Sequence, residues 1–355
     1  MNCCSIVRTK NNPWLHRFAV LLAVSVLGLL CVGGLVTSHG AGMAVPDWPN
    51  TFGYNMFFFP ISKWVGGIFY EHSHRLYASA VGFLTIILAA WLWIKEERRW
   101  LRWLGVFALF AVVLQGVLGG LRVVWMKDQI GIFHAALAQM FFCLVCAIAL
   151  FSARWWTEGQ PHLVNSPALA TVRKLAIFGS VLIFLQLLLG ATMRHQHAGL
   201  AIPDFPAAYG RFWPATDPAS VARYNQLRAE VIALNPITSS QIWLQMAHRI
   251  VAVSILIVVG CTATVGLRSV ARPFRSLLWA WSALILIQLG LGAATIWTNK
   301  SADVATAHVA VGGLSLATAV LLVLMSSRVL RGELSSVEPE RAPVESFGQR
   351  QEVPA

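Results

Sequence analysis

The chain has 355 residues, of which 57% are hydrophobic and only 12% are charged, with 15 tryptophans and a formal net charge of +12. An average soluble domain is about one quarter charged, so this composition excludes an ordinary soluble protein and indicates a polytopic membrane protein. Eight apolar stretches are long enough to cross a hydrocarbon core about 30 Å thick, which takes about 20 helical residues. The spans are expected near 17–38, 71–94, 101–123, 130–153, 173–193, 241–266, 275–297 and 304–327.

Lysine and arginine are concentrated in alternate connecting segments. With the N-terminus inside, the inner segments up to residue 331 hold fifteen of these residues and the outer loops hold eight, which favours both termini on the cytoplasmic side. Cytoplasmic anchoring accounts for much of the positive charge, so no nucleic-acid partner is expected. The N-terminal segment has no Arg- and Ser-rich transit pattern, and we therefore expect a bacterial cytoplasmic membrane rather than a mitochondrial one.

The two halves of the chain repeat each other in order and spacing. The outer segment GMAVPDWP at 42–49 recurs as GLAIPDFP at 199–206, and the His-Arg pair at 74–75 recurs at 248–249. The second half also repeats Gln115, Gly119 and His134 of the first, as Gln288, Gly292 and His308. The sequence therefore predicts an all-α protein built from two tandem four-helix units, related by a pseudo-twofold axis along the membrane normal.

The expected boundaries follow from this repeat. The long outer loop 194–240 is polar and rich in proline, with a short surface helix expected near 218–233, and the C-terminal tail has the composition of a disordered segment. The divisions are an inner tail (1–16), the first unit (17–153), an inner linker (154–172), the second unit (173–327) and a second inner tail (328–355).

Four histidines lie about one turn into the even-numbered spans, counted from the outer end. A lone histidine on an apolar helix is more often a hydrogen-bonded core residue, but four at equal depth in two related pairs favour a ligand role. A structural zinc site needs about four ligands on one ion, whereas two pairs, one per unit, suit the axial positions of two haems. The pairs are His74 with His134 and His248 with His308.

Nearby glycines have two explanations that do not exclude each other. They either let a flat macrocycle approach the helix backbone or allow close packing of the helices. They are Gly119 and Gly120 in the first unit and Gly290 and Gly292 in the second.

One difference separates the two halves. Glu71 lies three residues before His74 on the same helix face, whereas the corresponding residue of the second unit is the neutral Gln245. An ionisable group at membrane depth indicates a functional site, and a buried carboxylate can relay protons or stabilise a cationic intermediate, so Glu71 is predicted to be catalytic. The alternative is a structural i,i+4 ion pair with Arg75.

The remaining candidates are less specific. Arg75 and Arg249 either compensate haem propionates or extend to the membrane interface. Three histidines near the outer loops either touch propionates or a metal, or lie in interfacial water: His39, His195 and His197. His72 is expected on another face of its helix, and the mid-span pair Cys143 and Cys146 is expected to pack as small apolar residues.

These motifs together resemble the haem A synthase family. The resemblance rests on Glu-x-x-His-Arg at 71–75, the Gly-x-Gly-Met-Ala-Val-Pro-Asp-Trp-Pro loop at 40–49, His134 and His308 near the start of their spans, and the tandem duplication. One branch of the family carries a cysteine pair in the outer loops. Segments 39–70 and 194–240 contain no cysteine, so the chain is similar to the branch without this pair.

The resemblance implies an enzyme that oxidises a methyl group on the porphyrin ring of haem O to a formyl group, giving haem A for terminal oxidases. It implies that His74 and His134 hold the substrate haem, and that His248 and His308 hold a resident haem b. The expected partners are haem O, a haem O synthase, oxidase assembly factors and membrane lipid, and a homo-oligomer is left open.

Two other functions fit parts of the pattern. A non-enzymatic dihaem electron carrier of the membrane b type would share the four histidines, but it gives no reason for the acid in one half. A transporter is suggested by the parallel repeat, but it would require a polar site at the midplane or broken helices. The polar residues of this sequence cluster at the outer end instead.

Overall fold

The computed structural model describes residues 12–158, 166–229 and 236–334. Within these ranges it contains α-helices, two short 3-10 helices at Met56–Phe58 and Ile61–Lys63, and two isolated β-bridges. The α-helices are α1 (Pro13–Ser38), α2 (Gly66–Lys95), α3 (Arg99–Val124), α4 (Asp128–Ser152), α5 (Arg154–Thr157), α6 (Pro167–His195), α7 (Pro218–Ala229), α8 (Ser239–Gly266), α9 (Arg272–Trp297) and α10 (Ala302–Leu334).

Eight of these helices are long and apolar enough to cross a membrane, namely α1, α2, α3, α4, α6, α8, α9 and α10. The predicted all-α membrane fold with eight spans is therefore confirmed. The surface helix expected near 218–233 is α7. The terminal segments 1–11 and 335–355, together with 159–165 and His162, lie outside the described residues, so the predicted disorder of the C-terminal tail stays a prediction.

Each membrane helix begins before the apolar stretch that predicted it. Helix α6 begins before the predicted position 173 because Ser166 caps it, accepting a hydrogen bond of 3.1 Å from the Leu169 amide, and because Pro167 suits the first helical position. Helix α8 begins with a capping box between Thr238 and Gln241. These polar start signals lie outside the apolar windows, which is why hydropathy alone places the boundaries too far inside.

Each half of the chain forms a closed four-helix arrangement. Helix α1 packs against α2 and α4, and α3 packs against α2 and α4; in the second half α6, α8, α9 and α10 pack in the same cyclic order. The halves meet where α1 and α4 contact α10 and α6. This is the pattern that a pseudo-twofold axis would produce, although the axis and the division into two units stay predictions.

The two halves approach closely at a glycine. A methyl group at Gly34 of α1 would lie 2.9 Å from Cγ2 and 3.4 Å from Cα of Thr306 on α10. Arg194, at the end of α6, donates a hydrogen bond of 2.6 Å to the Gly34 carbonyl and another to the Ser38 hydroxyl. The long connections 39–65 and 196–229 therefore lie at the same end of the bundle, which we call the loop end.

We expect Gly34→Val to destabilise the protein by about 1–3 kcal/mol, because the branched side chain overpacks the contact between α1 and α10. The measurement is the midpoint of thermal unfolding in detergent. Gly82→Ala is the matched control, since a Cβ at this helical glycine would meet no atom within 4 Å. Equal midpoints for Gly34→Val and the unaltered protein would contradict this packing.

Candidate functional site

The loop after α1 is folded around an aspartate. The Asp47 carboxylate accepts hydrogen bonds of 2.8 Å from the amides of Phe52 and Gly53, and a β-bridge joins Thr51 to Tyr54. Phe52 and Gly53 have φ values of 48° and 77°, in the left-handed region that this tight turn requires. Burial by itself raises the pKa of Asp47, but the two amide donors and the nearby arginine on α2 lower it overall.

The loop after α6 has the same construction. Asp204 accepts hydrogen bonds of 2.7 Å from the amides of Tyr209 and Gly210, and a β-bridge joins Ala208 to Arg211. Tyr209 and Gly210 have φ values of 55° and 73°. The repeat read from the sequence therefore extends to the backbone conformation of these loops.

A buried ion pair on α2 holds the first loop. Arg75 donates to the carbonyls of Asp47 (2.7 Å), Asn50 (3.0 Å) and Val45 (2.7 Å), and its guanidinium also contacts Glu71 Oε1 at 2.8 Å. The other oxygen of Glu71 accepts a hydrogen bond of 2.9 Å from the Val45 amide. Glu71 is only 4% exposed, so α2 and the loop form one connected polar network.

The second half makes the corresponding contacts with an amide. Gln245 accepts a hydrogen bond of 2.6 Å from the Ile202 amide and donates one of 3.2 Å to the Ile202 carbonyl. Arg249 donates to the carbonyls of Ala207 (2.8 Å) and Asp204 (2.6 Å). The acid and the amide thus recognise the loop backbone in similar ways, and what distinguishes the first half is a buried negative charge.

These contacts bear on both explanations of Glu71. The ion pair that the sequence suggested as a structural alternative is present in the structure. The catalytic role of Glu71 stays a prediction, because the contacts of its carboxylate fit a structural role equally well. The bonds of Arg75 and Arg249 to loop carbonyls were not indicated by the sequence, since loop carbonyls belong to every residue and give no pattern.

Each of the four predicted histidine ligands faces a glycine on the long helix that precedes its own. A methyl group at the glycine would lie 3.2–3.4 Å from the nearest imidazole atom in every case, which is tighter than an ordinary contact. The pairs are Gly33 with His74, Gly119 with His134, Gly190 with His248, and Gly292 with His308. The structure therefore keeps the same space beside all four rings.

The four imidazole rings are half-buried, and not all of their nitrogen atoms have hydrogen-bond partners among the described residues. The ring centroids of His248 and His308 are 6.5 Å apart, with an interplanar angle of 56°. His74 lies within electrostatic range of His134. Nδ1 of His248 is buried and has no hydrogen-bond partner in the described part of the chain, whereas the rings of His134 and His308 interact with the backbone of Gln115 and Gln288. In each histidine pair, the two helices therefore direct their imidazoles toward a shared region.

Sequence reasoning found some of the glycines and missed others. Of the predicted glycines, Gly119 and Gly292 lie against histidines, whereas Gly120 faces the indole of Trp48. A Cβ at Gly290, also predicted, would meet no atom within 4 Å. The missed residues are Gly33 and Gly190, and the signal was available: each lies nine residues before the first glycine of its repeated loop motif.

The remaining histidines lie in different surroundings. His39 is exposed and stacks on Tyr70 with ring centroids 4.0 Å apart, and His197 is exposed at a loop position with φ of 53°. His72 is fully buried, as expected on another face of α2, with Nδ1 3.2 Å from the Thr51 hydroxyl. His195 is the exception, because it reaches from α6 into the first half.

The fold and site define a helical membrane protein with two corresponding pairs of histidines near the loop end. A family model described as cytochrome oxidase assembly protein, COX15-CtaA, matches residues 54–321, about three quarters of the chain. The chain belongs to this family.

Similar proteins are named heme A synthase. The relative from Geobacillus kaustophilus is 25% identical over 341 residues, covering 91% of this chain and 95% of its own. The relative from Halalkalibacterium halodurans is 26% identical over 331 residues, covering 88% and 99%. The relative from Shouchella clausii is 30% identical over 204 residues, or 56% of this chain and 65% of its own. The family resemblance predicted from the motifs is confirmed; assignment to the branch without loop cysteines stays a prediction.

We expect Arg75→Lys to release the loop around Asp47, because a single ammonium group cannot reproduce the fork of bonds to three carbonyls. The amides of Phe52 and Gly53 should exchange with deuterium about tenfold faster, as expected for losing charge-assisted hydrogen bonds. Arg249→Lys is the matched control, which should accelerate exchange around Asp204 only. Unchanged exchange at both loops would show that these arginines do not hold them.

Proposed function

We propose that this protein is a haem A synthase, which oxidises a methyl group on the porphyrin ring of haem O to a formyl group and supplies haem A for cytochrome oxidase assembly. Relatives of this name align over nearly the full chain, which supports the assignment. The observation that carries it is the buried charge of Glu71 beside one histidine pair, in two halves whose loops and histidine contacts otherwise match.

In this proposal the two histidine pairs hold two haems. His74 and His134 bind the substrate haem O, and His248 and His308 bind a resident haem b. In each pair, the two imidazoles from different helices would hold the haem iron between them, and the iron would supply redox chemistry. The separation of 6.5 Å between His248 and His308 fits this arrangement.

Two further features fit a haem at these positions. The glycines opposite the histidines leave no side chain beside the rings. Nδ1 of His248 is buried and has no hydrogen-bond partner in the described part of the chain, so a bound group would meet no competing bond there. When bound, haem b supplies a one-electron redox centre for the chemistry of the first half.

Glu71 is proposed to act on protons at the first site. It lies three residues before His74 on one face of α2, and replacing two hydrogens of a methyl group by one oxygen atom requires protons to be moved at the site. The ion pair with Arg75 fixes the direction of the carboxylate. Gln245 cannot titrate, which suits the second half to electron transfer.

The two arginines are proposed to bind haem by holding the loops over the histidines. Arg75 contacts three loop carbonyls and Arg249 contacts two. Nε of Arg249 is buried without a hydrogen-bond partner, which leaves one donor for a haem carboxylate. This supports a cofactor-binding role in addition to loop closure.

The proposed setting is the bacterial cytoplasmic membrane, with both termini cytoplasmic and the loop end outside. The bacterial origin of the relatives and the distribution of lysine and arginine support it. A haem O synthase and oxidase assembly factors are the proposed partners.

We expect Glu71→Gln to lower haem A formation by about 100-fold or more, the usual contribution of a positioned acid or base, while both haems remain bound. Glutamine can keep the hydrogen bond to the Val45 amide, as Gln245 does with Ile202, so this variant removes the charge and spares the loop. The assay is co-expression with a haem O supply, followed by haem extraction and mass analysis.

Gln245→Glu is the matched control, because it adds a carboxylate in the second half and should leave conversion by Glu71 intact. Full conversion by Glu71→Gln would reject proton chemistry at Glu71 and leave only its structural role. If the unaltered protein bound haem b alone and formed no haem A, it would be a dihaem electron carrier. Absence of any haem would reject both functions.

A further inference from the structure

The end of α6 places two side chains of the second half against the first half. Arg194 binds the Gly34 carbonyl and the Ser38 hydroxyl on α1. The next residue, His195, lies against Gly131 on α4, one helical turn before His134. A methyl group at Gly131 would collide with Cε1 of His195 and would lie 2.7 Å from its Nε2. The glycine therefore makes room for this imidazole at the first histidine pair.

An arginine lies beside this imidazole. The same methyl group at Gly131 would be 3.1 Å from Nε of Arg122, so the guanidinium and the ring of His195 border one space. Arg122 also packs on Gly42 of the loop, where a methyl group would be 2.8 Å and 2.9 Å from its two terminal nitrogens. Both Arg122 and His195 lie within electrostatic range of His134. Two N–H donor groups thus meet at the loop end of the first site.

At the second histidine pair, the positions that correspond to His195 and Arg122 hold hydroxyl residues. Counted from the loop motifs, the residue that corresponds to His195 is Ser38, whose hydroxyl lies 3.5 Å from that of Thr306 near His308. The residue that corresponds to Arg122 is Thr295, since each lies three residues after the glycine that faces a histidine. Thr295 donates to the Leu291 carbonyl of its own helix at 2.8 Å. Hydroxyl groups therefore replace the imidazole and the guanidinium.

We propose that Arg122 and His195 form a carboxylate-binding pair that takes the propionates of the haem held by His74 and His134. Guanidinium and imidazole N–H groups are suited to carboxylate oxygens, and such charge-assisted bonds are stronger than neutral ones. Because His195 comes from α6, the first site is complete only when the second half is folded against it. This inference rests on the proposed function only in taking His74 and His134 as haem ligands.

The test is a titration of the full-length protein, prepared from haem-deficient cells, with haemin and with haemin dimethyl ester, whose propionates carry no charge. Soret absorbance reports binding, and a His308→Ala background confines it to the first site. We expect the protein to bind haemin about tenfold more tightly than the ester, and His195→Ala to remove this preference by weakening haemin binding alone.

Three controls fix the interpretation. Ser38→Ala, the corresponding change in the other half, should leave the preference intact. In a His134→Ala background, which confines binding to the second site, His195→Ala should have no effect. Gly131→Ala should reproduce the loss by displacing the imidazole, and it keeps the test valid if His195→Ala does not fold.

The outcomes separate the two proposals. An unchanged preference for haemin in His195→Ala would overturn the carboxylate role, and so would equal weakening of haemin and its ester, which would indicate packing. If the His308→Ala protein bound neither compound while the His134→Ala protein bound both, the assignment of the first pair as haem ligands would be wrong.

Discussion

The requirement that polar backbone groups be satisfied at membrane depth governs this structure. Helices satisfy their own backbone groups through internal hydrogen bonds. The two loops that return toward the histidines do not, so their carbonyls and amides need side-chain partners. Arg75 and Glu71 supply them in the first half, and Arg249 and Gln245 in the second. Guanidinium groups suit this task because one planar fork reaches several carbonyls at once. The loops are thereby fixed over the histidines that the helices present.

The halves share this construction but not their charge. Two differences place ionisable groups at the first histidine pair: Glu71 replaces an amide, and Arg122 together with His195 of the second half replace hydroxyls. A buried charge is costly, and the carboxylate of Glu71 occurs at only one of two similarly folded sites, which is consistent with chemistry there. The halves are also joined through His195 and Arg194, so neither site is independent of the other.

Most of the fold was predictable because membrane spans depend on local composition. The eight helices, the repeat and the four histidines all follow from patterns within one segment or from comparison of two. Helix boundaries were less accurate, since caps such as Ser166 lie outside the apolar windows. Gly33 and Gly190 were overlooked although the repeat marked them, because a glycine in an apolar helix has many other uses.

The sequence by itself determined the class of protein, its eight helices, its family and the asymmetry between Glu71 and Gln245. These depend on residue type and spacing, which local helix geometry converts directly into depth and face. Only the tertiary structure decided which loop groups Glu71 binds, and that His195 of one half lies against Gly131 of the other, one helical turn before His134. Such contacts join residues far apart in the chain, and they depend on how two helix bundles pack, which no single segment encodes.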